Sequence, residues 1–280
     1  MRAIWWLAIL GGGCKQPPVE APAELGALAL FLFEHFEDED PAEVHAGWVN
    51  LAAFLRDDDL TRSAQDRAVT LPTLDGPALG GLSIPVGALA VDQVPVGISG
   101  DSAFPLDDQL PLMADPVQTC IESSTTVWAG RDFLTDADCF VAGACERMET
   151  VTAVRRDTAL AKVWYDQFKT YRRFDFEDPD GAPVRVIAGR AWTEVVFPGD
   201  NDTNSWDQLF HLDVYLADGD RTLRWFAIWS SVSIGVLGDD LYAALIINGL
   251  EEALVYGDEL IEGTQDSCPH DRSAPAPPRD

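Results

Sequence analysis

Four long segments of alternating, aromatic-rich sequence follow one another between residues 161 and 234, and their pattern calls for an antiparallel sheet. They are AKVWYDQFKTYRRF (161–174), APVRVIAGRAWTEVVF (182–197), WDQLFHLDVYL (206–216) and RTLRWFAIWSSVSI (221–234). β-Branched and aromatic residues at period two suit a pleated surface with two distinct faces. The separators are EDPDG, PGDNDTNS and ADGD, in which Asp180-Gly181 and Asp218-Gly219 are favoured hairpin dipeptides. Neighbouring strands therefore run antiparallel. A meander of about four to five strands results, the fifth being VTAVRR (151–156) as a first edge.

Alternation assigns the faces. In the third segment Phe210, Leu212, Val214 and Leu216 share one face, and His211, Asp213 and Tyr215 the other. In the fourth, Leu223, Trp225, Ala227 and Trp229 oppose Phe226, Ile228, Val232 and Ile234, so both faces need a cover. One cover is the stretch 239–262, whose Leu241, Leu245, Leu250, Leu254 and Ile261 make a broad apolar helix face. Asp239 or Asp240 can cap its start and Gly263 its end. A second cover is an N-terminal helical hairpin, AELGALALFLFEHF (23–36) followed by PAEVHAGWVNLAAFL (41–55), with Pro41 suited to a first helical turn. Between about Ala68 and Val117, Pro and Gly break the chain every few residues, which predicts loops and irregular strands. TTVWAG (125–130) reads as a strand, and one helical turn is expected in DADCFVAGACERM (136–148).

The fold class is therefore α+β: N-terminal helical hairpin, antiparallel meander, long C-terminal helix. That element order resembles helix-grip, START-like folds, in which a curved antiparallel sheet closes on a C-terminal helix around a cavity for apolar ligands. The resemblance implies that Trp164, Trp192, Trp225 and Trp229 line such a cavity. A solidly filled core uses the same element order, and the same tryptophans would then be plain core or anchors for a protein partner.

The first fifteen residues, MRAIWWLAILGGGCK, combine Arg2, an apolar run from Ala3 to Leu10 and small residues before Cys14. This is the layout of a secretory signal, and eight apolar residues are too few to span a bilayer. A cysteine at the end of such a signal resembles bacterial lipoprotein precursors. The resemblance implies lipidation of Cys14 as the new N-terminus and, with Lys15 rather than Asp after it, an outer-membrane anchor; plain secretion or a periplasmic location is the alternative. Residues 1–13 are then signal, 14–22 a proline-rich tether, 23–263 one α+β domain (helical and irregular over 23–149, sheet plus helix over 150–263), and 264–280 a Pro-rich tail.

An exported chain with four further cysteines, Cys120, Cys139, Cys145 and Cys268, reads as carrying two disulfides. The DCFVAGAC spacing suits a Cys139–Cys145 loop, which leaves Cys120 to pin the tail through Cys268. No CxxC or HExxH spacing exists, and His35, His45, His211 and His270 are scattered, so zinc is not expected. Asp200, Asp202 and Asn204 have the alternate-oxygen spacing of a calcium loop, with Asp207 as a fourth donor. Ser205 and His211, however, stand where an EF-hand needs Gly and Glu, so the segment reads first as a polar hairpin turn. No cofactor is expected.

Acidic residues number 47 against 19 basic ones, a formal charge of −28, which repels phosphate backbones and excludes nucleic-acid binding. Against that background Lys162, Lys169, Arg172 and Arg173, with Tyr165 and Tyr171, gather on one strand. They either receive an anionic group or pair with acidic neighbours across the sheet. No GxSxG, HExxH or phosphate loop is present; Gly80-Gly81 lacks the Lys and Ser/Thr that a phosphate loop needs. The expected role is non-enzymatic binding of a partner protein or a small apolar ligand. The alternative is a hydrolase whose site assembles from residues distant in sequence.

Overall fold

The structure, a computed structural model, describes residues 20–38, 41–82, 84, 93–158, 162–178, 180–193, 197–198, 204–234, 238–264, 270–271, 273 and 275–276. The signal segment, Cys14, Asp200, Asp202 and Cys268 lie outside them.

The N-terminal helices are α1 (Leu25–Glu34), extended by a 3-10 turn (His35–Glu37), and α2 (Pro41–Asp57). They are followed by α3 (Ala64–Arg67), β1 (Val69–Thr70), β2 (Val94–Ser102), α4 (Leu106–Met113), β3 (Thr126–Phe133) and α5 (Ala137–Val141). The long strands are β4 (Arg147–Asp157), β5 (Lys162–Glu177), β6 (Pro183–Thr193), β8 (Asn204–Asp218) and β9 (Arg221–Ile234), with a two-residue β7 (Phe197–Pro198) before β8. Helix α6 (Asp239–Glu262) closes the sequence of elements.

All strands join one antiparallel sheet in the order β1-β2-β9-β8-β6-β5-β4-β3, with β7 paired to β8 beside that path. The fold is thus a mixed helix-and-strand one, an antiparallel sheet with a C-terminal helix across one face, the helix-grip arrangement of elements. The expected four to five strands are an undercount, because β1, β2 and β3 extend the meander at both ends. The segment containing VTAVRR is not an edge: β4 pairs with both β3 and β5.

The Pro/Gly-rich stretch supplies β2, which pairs with β9 over nine residues, from Val94 opposite Ser230 to Ser102 opposite Thr222. Its glycines are contact points. A Cβ on Gly100 would stand 2.7 Å from a Leu254 methyl, so bare backbone here is what lets α6 settle on the strand.

Each face of the sheet has its own cover. On one, Leu28, Phe33, Trp48 and Leu55 of the helical hairpin pack on Phe174, Val186, Leu212, Val214, Trp225 and Trp229. On the other, Ile247, Leu250 and Leu254 of α6 meet Val96, Ile98, Phe226 and Ile228, while α4 and α5 cover Met148, Tyr171 and Ile187. Helix α6 is pinned at both ends. Near its start the Tyr242 hydroxyl lies 2.6 Å from Ser230 Oγ, and near its end Arg224 donates to both carboxylate oxygens of Asp258 at 3.1 Å. Gly263 ends it with φ of 75°, as expected. Its N-cap is Gly238, with no side-chain cap; Asp239 and Asp240 sit inside the first turn, where their charges favour the helix dipole.

Candidate functional site

Helix α6 lies over β2 and β9 and leaves the middle of the same sheet face roofed but unfilled. A cavity of about 450 Å³ remains, bounded by the sheet below, α6 above, and α4 with residues 118–125 at the side. Leu112, Leu209, Phe226, Ile228, Leu245 and Ile246 give it apolar walls. The floor is polar, because alternation turns Lys169 and Tyr171 of β5, His211, Asp213 and Tyr215 of β8, and Arg224 of β9 toward it.

Gly189 makes room for that floor. It pairs with Tyr171 on one side and Asp213 on the other, and a Cβ there would meet Lys169 Cε at 2.9 Å and the Tyr171 ring at 3.0 Å. Over this gap Lys169 reaches across β6 to form a buried ion pair with Asp213. Burial pulls the Lys169 ammonium down, but Asp213, Tyr171 and Tyr215 raise it further, so it stays charged. Arg131 of β3 is buried beside the same ring, its guanidinium 5.6 Å from the Tyr171 centroid, and donates to Thr152 Oγ1 at 3.1 Å and to the Met113 carbonyl. At the other end Arg156 donates to Glu122 at 3.0 Å, and burial pushes the Tyr165 phenol beside it up to about 12.

His211 sits between these two clusters. It is only 8% exposed, and its Nε2 is enclosed without a hydrogen-bond partner among the described residues. Burial, with the neighbouring Lys169 charge, pulls its pKa from 6.5 down to about 3, so the imidazole is neutral in the folded chain. Because the folded value is lower than the unfolded one, this histidine's contribution to stability is complete above pH 6.5 and is lost as pH falls toward 3. We expect His211→Gln to remove a stability slope of up to about 1.4 kcal/mol per pH unit in that window. Urea unfolding at a series of pH values from 7.5 to 4.5 measures it, and equal slopes in the two proteins would mean that folded His211 protonates freely.

The tryptophans expected around a cavity are elsewhere. Trp225 and Trp229 are buried in the core under the helical hairpin, Trp192 packs against that core, and Trp164 stacks near Trp128 and Arg155. None lines the cavity: each shares the parity of residues that face away from α6. Lys169, singled out by its charge, does line it, whereas Arg172 donates to the Phe36 carbonyl on the hairpin face and Arg173, on the face of Lys169, donates to the Phe140 carbonyl of α5. His211, Asp213 and Arg131 were not singled out. For His211 and Asp213 the signal was present in the polar face of β8, an interior strand, since polar groups turned inward in a sheet covered on both sides need a reason, whereas Arg131 stands on β3 at the sheet's edge.

Asn204 and Asp207 of the calcium candidate belong to β8, but their side chains are outside what is described. Among the described residues no group of three His, Cys, Asp or Glu side chains is placed to hold a metal. Cys139 and Cys145 are joined, closing the loop around α5. Cys120 is also disulfide-bonded, and the tail returns to it: the His270 carbonyl lies 3.5 Å from its sulfur, and His270 Nε2 lies 3.0 Å from the Ser124 carbonyl.

No family model matches this sequence, and no curated protein matches it either. Solved structures that resemble it include a START superfamily protein from Mycobacterium smegmatis (11% identity, 61% of this chain and 99% of that one, TM-score 0.40). Others are a STAR-related lipid transfer protein from Xanthomonas axonopodis (10%, 62% and 90%, TM-score 0.42) and human STARD10 (9%, 62% and 67%, TM-score 0.38). At these scores the likeness supports no functional step, and the reading rests on the cavity's own residues.

Proposed function

We propose that this chain binds a small, largely apolar molecule in the cavity beneath α6, as a carrier or sensor and not as a hydrolase. The observation that carries this is the cavity itself: about 450 Å³, apolar walls, and a few fixed polar groups at one side. Small-molecule sites span roughly 300–1,000 Å³ and are built in this way. The titrating groups argue against acid–base chemistry, which works best with a pKa near the working pH. Lys169 is held charged, His211 neutral, and Tyr165 and Tyr215 protonated. Ser230, the serine facing the cavity from β9, shares its hydrogen bond with Tyr242 and not with a base.

The signal-like first fifteen residues support a further part of the reading: the binding site is exported and tethered to the envelope through an acylated Cys14, most naturally on the outer membrane. Mass spectrometry of the protein extracted in detergent from its own cell reads the acyl mass and any retained ligand together. In solution, N-phenyl-1-naphthylamine should bind saturably, one molecule per chain. Ala253→Trp pushes an indole from α6 into the cavity and should weaken that binding about ten-fold or more with the circular dichroism unchanged. Undiminished dye binding in this variant would place the dye elsewhere and remove the support for the cavity.

A further inference from the structure

The charges around the cavity do not balance at one end. Arg156 has Glu122, and Arg224 has Asp258, each at hydrogen-bond distance. At the Tyr171 end, two buried cations share a single carboxylate: Lys169 takes Asp213, while Arg131, 5% exposed, meets only the neutral oxygens of Thr152 and Met113. Among the described residues no carboxylate stands at ion-pair distance from Arg131. The two cations flank one ring, Lys169 Nζ at 5.0 Å and the Arg131 guanidinium at 5.6 Å from the Tyr171 centroid, and both border the cavity. His211, two strands along from Lys169 in the same cross-strand row through Ala191, adds an enclosed ring nitrogen without a hydrogen-bond partner among the described residues.

A buried cation without a counter-charge is costly, and a chain carrying 47 acidic residues had ample means to supply one. We infer that the missing charge belongs to the ligand: the cavity takes an amphipathic molecule whose anionic oxygen head, a carboxylate in the simplest case, seats among Arg131, Lys169 and His211. The apolar part then runs along Leu209, Ile228 and Ile246 under α6. Charge-assisted bonds to the guanidinium and ammonium hold the head. This inference rests on the cavity being a binding site, as proposed above, and names the ligand's chemistry.

The test uses the full chain and three twelve-carbon probes that differ only at the head: dodecanoate, dodecanol and dodecyltrimethylammonium. Each competes with N-phenyl-1-naphthylamine at pH 7.5. Dodecanoate should displace the dye at a concentration about ten-fold or more below dodecanol, and the trimethylammonium should be weakest. Arg131→Gln keeps a donor for the Met113 carbonyl and should bring dodecanoate and dodecanol within about three-fold of each other. The head-group series in the unaltered protein needs no variant to fold. Equal displacement by dodecanoate and dodecanol, or preference for the cation, overturns the anionic-head inference while leaving the binding reading intact. If the dye itself does not bind, the binding reading fails and the inference falls with it.

Discussion

Asp213→Leu should destabilise the protein by about 3–5 kcal/mol, and adding Lys169→Met in the same chain should restore most of that loss. The reason is the position of the pair. Asp213 and Lys169 are both nearly inaccessible, on strands separated by β6, and the lysine crosses the gap above Gly189 to reach its partner. Removing only the carboxylate leaves a buried ammonium without its counter-charge, forced either to stay charged or to shed its proton. Removing both replaces the pair by apolar side chains of similar volume. Urea unfolding of the two single variants and the double variant at pH 7 gives the coupling directly. A cost below about 1 kcal/mol for Asp213→Leu alone would mean that water screens the pair, as it does for exposed ion pairs. The neutral head-group contribution of the cavity walls should survive in the double variant, because Leu209, Ile228 and Ile246 are untouched.

Alternation is the part of this fold that sequence reveals well. The parity of β8 places Leu212, Val214 and Leu216 under the helical hairpin and His211 and Asp213 on the opposite face, as the pattern predicts. Helix α6 spans 239–262, the range its apolar face and terminal glycine predict. Parity, however, does not say which face leaves space. Large aromatic residues suggest a ligand pocket, yet they are what fills a core completely, so Trp225 and Trp229 mark the solid side of the sheet. The open side is marked by the polar residues on interior strands, Lys169, His211, Asp213 and Arg224, whose meaning appears only once α6 is known to cover them. Strand β2 was hidden for a different reason. Its sequence, VPVGISGDS, has a proline and two glycines and scores poorly as a strand, because neighbours press so closely that side chains at those positions have no room.

Gly97→Ala should therefore cost about 3 kcal/mol or more, an unusually large effect for one methyl group. Gly97 lies in β2 opposite Ala227, on the hairpin-covered face, and the indole of Trp225 lies against it. A Cβ at Gly97 would stand 2.3 Å from Trp225 Cζ2, 2.5 Å from Cη2 and 3.2 Å from Leu71 Cδ2. The indole cannot retreat: it is fully buried, in a core whose close packing leaves few voids to move into. Gly76→Ala is the control, since a Cβ there meets nothing within 4 Å, and it should leave the unfolding midpoint within the error of measurement. Trp225→Phe removes the two clashing atoms and, although it opens a cavity of its own, should recover part of the loss when combined with Gly97→Ala. A Gly97→Ala protein that melts with the unaltered one would show that β2 and β9 separate more easily than their nine paired residues suggest. The cavity lies on the other face of the sheet, so folded Gly97→Ala protein should still bind N-phenyl-1-naphthylamine with unaltered affinity. That combination, a large loss of stability with binding retained, is what a sheet with a solid face and an open face requires.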